Sequence, residues 1–71
     1  MKGKLIVTKH GDMTITDNKQ AEAMKLWKEG YRFWTLVEQR QGRILGRQVK
    51  PQEIVEDDGV DYIGMRQLAG G

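Results

Sequence analysis

Only one stretch of this chain is suited to a helix. From Asn18 to Glu29 there is no proline, glycine or β-branched residue, and most side chains there are good helix formers. Asp17 stands where an N-cap belongs, with Gln20 three residues on in the manner of a capping box. Gly30 is a stop signal, because glycine takes the left-handed conformation that often follows a helix end. Ala23, Met24 and Trp27 recur at helical spacing and predict a buried face, which Leu26 widens. Strand-like runs lie on both sides of this helix. One helix must then cover one sheet, since each layer hides its apolar side against the other. At 71 residues, the chain is read as a single domain, 1–71, which buries only about 60% of its unfolded surface.

The strand-like runs follow from composition and alternation. Residues 4–8 (Lys-Leu-Ile-Val-Thr) are apolar and β-branched, and residues 13–16 (Met-Thr-Ile-Thr) alternate. With the turn His10-Gly11-Asp12 between them, they predict a hairpin. Tyr31 to Glu38 is aromatic and β-branched; Phe33, Thr35 and Val37 share one face, and Trp34, Leu36 and Glu38 the other. Gln39 to Arg43 reads as a turn. Ile44-Leu45 and Gln48-Val49 predict a short return strand loosened by Gly46 and ended by Pro51. Asp57-Asp58-Gly59 is a further turn, Val60 to Leu68 a last strand, and residues 69–71 a flexible tail. The order is α+β, with one helix on a mixed sheet of four to five strands.

Composition narrows the chemistry. The chain has no cysteine and one histidine, His10, so thiolate catalysis and cysteine-ligated zinc are excluded. Asp57 and Asp58 are adjacent on a turn and point apart, which suits solvation better than acid–base work. No phosphate-cradling glycine loop is present; Gly42, Gly46 and Gly59 are dispersed. No metal, bound cofactor or enzymatic activity of the chain itself is expected. No apolar run approaches the roughly 20 residues of a membrane helix. Residues 1–8 hold too few apolar side chains for a signal-peptide core, so a cytoplasmic protein without a membrane partner is expected.

The C-terminal residues carry a resemblance. The chain ends Leu68-Ala69-Gly70-Gly71, a strip with almost no side chains that can thread a narrow channel. Asp58-Gly59 opens the last strand, and Val49 to Glu53 reads Val-Lys-Pro-Gln-Glu. In these features the sequence resembles the ubiquitin-like sulfur carriers, the ThiS/MoaD family. The match is best over the last 14 residues and rests upstream on element order and hydrophobic pattern. Arg40-Gln41-Gly42 stands near the family's usual Asn-Gly turn, and Gly64 replaces an expected buried aliphatic.

The resemblance implies a β-grasp, ubiquitin-like fold. It implies that a partner enzyme adenylates the Gly71 carboxylate with ATP and that sulfur transfer gives a thiocarboxylate, with Gly70 threading the channel. A synthase then takes the sulfur, as in thiamine biosynthesis. The chain itself would hold no cofactor; the partner enzyme uses the ATP. By the same analogy Tyr62 points inward, and Ile63, Met65 and Leu68 form the docking surface of the last strand.

Charge distribution supports a different reading. Arg40, Arg43, Arg47 and Lys50 fall in a stretch without acid, while Glu53, Glu56, Asp57, Asp58 and Asp61 follow without a base. The basic hairpin could grip phosphates, with Tyr31, Phe33 and Trp34 to stack on bases. It could equally dock the chain, as a small accessory protein of phage type, on a larger enzyme. Trp34 has opposite parity to Phe33, so burial of one predicts exposure of the other. The acidic stretch can also fold back and cancel the basic one.

Overall fold

The computed structural model describes residues 3–9, 11–56 and 58–66. The expectations on His10, Asp57, Leu68, Gly70 and Gly71 lie outside these residues. Strands β1 (Leu5–Thr8) and β2 (Asp12–Ile15) form the first hairpin, and helix α1 (Lys19–Lys28) follows. Strands β3 (Tyr31–Gln39) and β4 (Gly42–Val49) form a second, longer hairpin. A 3₁₀ turn at Pro51–Glu53 leads to strand β5 (Asp61–Arg66). The five strands make one mixed sheet in the order β2-β1-β5-β3-β4. β5 is central, parallel to β1 and antiparallel to β3.

Two apolar clusters hold the sheet. Leu5, Val7, Phe33, Val49 and Tyr62 pack with Ala23 and Leu26 of α1 and with Ile54. Burying each large side chain of this set contributes about 1.5–3 kcal/mol. The opposite face carries Ile6, Leu36 and Ile63, with Trp34 and Met65 packed against them. The expected parity of β3 therefore appears, but Trp34 is half-buried rather than free, because a second, smaller cluster receives it.

The helix departs from expectation at its start and on one face. It begins at Lys19, with Asn18 in the cap position at φ 56° and ψ 37° and no side-chain capping bond. The N–H of Gln20 instead donates to Glu56 Oε1 at 3.1 Å. The Gln20 amide in turn donates to the carbonyls of Gln52 and Ile54. A carboxylate from a distant loop thus occupies the position expected of a local cap, where the helix dipole also favours negative charge. The buried positions are Lys19, Ala23 and Leu26, and Met24 is exposed. Trp27 lies at the edge of this face, stacked on Phe33 at 6.5 Å.

β4 is continuous over eight residues rather than two short pieces. Its register shifts against β3, from Trp34 opposite Gln48 to Leu36 opposite Leu45. One extra β4 residue is accommodated as a bulge, with the N–H of Arg47 donating to Thr35 Oγ1 at 3.1 Å. Gly46 permits this, because a Cβ there would overlap the Thr35 hydroxyl. Gly64 in β5 has a comparable reason. A Cβ there would stand 2.6 Å from Phe33 Cε1 and 2.8 Å from Cδ1. The Phe33 ring occupies the space that an aliphatic side chain at position 64 would need.

Candidate functional site

The described end of β5 leads toward the tail. Along it, Tyr62 faces the helix-side core, and Ile63 and Met65 lie on the opposite face. Ile63 is only 4% exposed. It forms the floor of the second cluster rather than a contact surface; Met65 and Trp34 are the partly open apolar groups there. Its burial reflects side chains from neighbouring strands, which strand parity cannot reveal.

A chain of charges crosses this helix-free face. Arg43 of β4 meets Asp12 of β2 at 2.7 Å, and its Nε lies 4.0 Å from Glu38. Lys4 pairs with the same Glu38 at 2.6 Å. Asp12 and Arg43 stand on the two outer strands, so the twist of the sheet brings its edges together over the second cluster. The hydrogen bond from Lys4, reinforced by its charge, holds the Glu38 carboxyl below the usual range and raises the Lys4 ammonium.

The basic residues of the second hairpin are therefore not one patch. Arg40 sits in the two-residue turn between β3 and β4. Arg43 is drawn to Asp12 and Glu38. Arg47 pairs loosely with Glu53 at 3.4 Å, and the Lys50 N–H donates to Glu53 Oε2 at 2.7 Å. That backbone bond, with help from Arg47, holds the Glu53 carboxyl low against the opposing effect of burial. The acidic stretch thus folds back on the basic one at Glu53, and Trp34 lies with the second cluster.

Two further features were not legible in sequence. A groove of about 310 Å³ lies between α1 and the end of β4, lined by Trp27, Gln48, Val49, Lys50 and Glu53. The Arg32 guanidinium stacks over the Trp27 ring at 3.9 Å. The second feature is a polar cluster under the start of β5. Tyr62 donates to Asp58 Oδ2 at 2.7 Å, and the Val60 N–H donates to Asp58 Oδ1 at 2.9 Å. Lys19 is fully buried and donates to the Gly3 carbonyl at 3.0 Å. Burial, and then the bond to Asp58, pushes the Tyr62 phenol up to about 12. Burial works to raise Asp58, but the Tyr62 and Val60 bonds and the Lys19 charge outweigh it, and the carboxyl lies below its ordinary value. Among the described residues no buried side-chain nitrogen or oxygen lacks a hydrogen-bond partner, so the cluster fastens the start of β5 to the segment before it.

Among the described residues, no group of three or more His, Asp or Glu side chains is placed to hold a metal ion. Among them too, no helix is long and apolar enough to cross a membrane. Comparison with protein-family models, curated proteins and solved structures gives no match.

Proposed function

We propose that the protein is a ubiquitin-like carrier of β-grasp type whose C-terminal diglycine is its working part. The observation that carries this reading is the strand order β2-β1-β5-β3-β4, with the last strand at the centre of the sheet. That strand leads into Leu68-Ala69-Gly70-Gly71. A rigid central strand is a suitable mount for a thin tail that enters a partner's active site. The partner enzyme would join the Gly71 carboxylate to the α-phosphorus of ATP, with pyrophosphate leaving. Sulfide would then displace AMP and leave a thiocarboxylate for a synthase to consume. Met65 and Trp34 would supply the accessible docking contacts, with Ile63 beneath them and Leu68 nearer the tail.

The test is intact mass after incubation with ATP, an adenylating enzyme and a sulfide donor. Exchange of one oxygen for sulfur adds about 16 Da, and deletion of Gly70 and Gly71 removes the gain. An unchanged mass with an enzyme pool that thiolates a known carrier overturns the reading.

A second reading, a small docking protein that works through the second hairpin, is favoured by one observation. Val37, Ile44 and Leu45 of that hairpin are all exposed. Its test is substitution of Arg40, Arg43 and Arg47 by alanine, which would abolish partner capture while leaving tail chemistry intact.

A further inference from the structure

We propose that the outer edge of β4, together with the groove beside it, docks an acidic, extended segment of a partner protein as a sixth strand. β4 is the outermost strand on its side of the sheet and twice the length of β2, the other outer strand. An outer strand directs alternate N–H and C=O groups away from its neighbour, where an incoming strand can pair with them. β4 has neither proline nor acidic residue in Gly42–Val49; its arginines and its bulge oppose pairing with a basic or neutral strand more than with an acidic one.

Charge selects the occupant. Within residues 40–50 the charged side chains are Arg40, Arg43, Arg47 and Lys50. Arg43 is engaged by Asp12 and Glu38, but Arg40 and Lys50 make no ion pair among the described residues. Arg47 keeps 69% of its side chain exposed beside Glu53. A second copy of the chain would bring the same four basic side chains to this edge, whereas an acidic strand brings the opposite charge.

The groove supplies the side-chain specificity that backbone pairing lacks. It opens beside the end of β4, between apolar Trp27 and Val49, with Lys50 and Glu53 among its lining residues. Side chains of an added strand point alternately to the two faces of the sheet. One of them would enter the groove on the helix side, where an aromatic or aliphatic group suits Trp27 and Val49. The occupant is thus an acidic segment with one bulky apolar residue. This proposal stands on β4 and is independent of the tail.

The experiment uses the full chain, labelled with ¹⁵N, and a synthetic peptide in which Glu alternates with Val around one central Phe. The expected result is protection of β4 amides from hydrogen exchange, shifted Trp27 and Val49 resonances, and affinity that falls as salt rises. The Arg40→Glu/Arg47→Glu variant should bind at least tenfold more weakly, and a peptide with Lys in place of Glu should restore binding to it. That charge swap separates recognition from misfolding. Protection on β2 instead of β4, or equal binding of the Lys peptide by the unaltered chain, overturns the proposal. So does binding of a single-stranded oligonucleotide with the peptide silent. Self-association of an Arg40→Ala/Arg47→Ala variant without peptide binding by the unaltered chain also overturns it, because the arginines would then only guard the edge.

Discussion

Gly64→Ala should destabilise the protein through Phe33 alone. The new methyl would stand 2.6 Å and 2.8 Å from two atoms of the Phe33 ring. Phe33 is fully buried, stacks on Trp27, and faces Gly64 directly across the β3–β5 ladder. The ring therefore cannot move without opening the main core. Forcing one extra carbon into a packed core costs about 1–3 kcal/mol. Alanine recovers roughly 0.5–1 kcal/mol of backbone entropy that glycine loses in a strand. The expected net loss has its midpoint at about 1.3 kcal/mol and an upper end of about 2.5 kcal/mol, the midpoint being about 5–10 °C in Tm for a domain of this size. Urea and thermal unfolding followed by circular dichroism measure it. The decisive arm is the double variant with Phe33→Leu, whose smaller side chain makes room for the methyl. Its cost should fall below the sum of the two single costs by at least about 0.5 kcal/mol. Strict additivity, or a neutral Gly64→Ala, refutes the argument that the Phe33 ring is why position 64 holds glycine.

Glu56→Ala should cost about 0.5–2 kcal/mol, because it removes the acceptor for the Gln20 N–H at the helix start; urea midpoints would show it, and an unchanged midpoint would return the cap to local residues. Met24→Lys should change stability by less than about 0.5 kcal/mol, since Met24 faces solvent. Tyr62 has a folded pKa raised to about 12, so its contribution is complete below the unfolded value near 10 and is lost as pH rises from about 10 to about 12. Tyr62→Phe should flatten that alkaline loss in pH-dependent unfolding. Asp58 and Glu38 are held low. Their contribution is present above the ordinary carboxylate values and disappears as pH falls below about 4. Asp58→Asn should weaken that acid dependence.

Local geometry was readable from residue type and spacing. Helical spacing and the glycine stop located α1, and alternation separated Phe33 from Trp34 onto two faces of β3. The order of elements led to one helix on one sheet. These features follow from periods of 3.6 and 2 and from residues within a few positions of one another. The two hairpins were legible for the same reason, but not their bounds: the second turn is Arg40 and Gln41 alone, with Gln39, Gly42 and Arg43 in strands, and Asp12 already belongs to β2.

What meets across sequence distance depends on how the elements pack. The helix start is capped by Glu56 rather than by the nearby Asp17, because the loop after the 3₁₀ turn folds back onto α1. Ile63 is buried and Trp34 half-buried, because a second cluster forms on the face without a helix. Arg43 leaves the basic stretch to bind Asp12, because sheet twist joins two strands that are adjacent neither in sequence nor in the sheet. Gly64 is explained only by the ring opposite it. Residue type and spacing set the secondary elements, but burial, pairing and vacant space depend on which neighbour the fold places within a few ångströms.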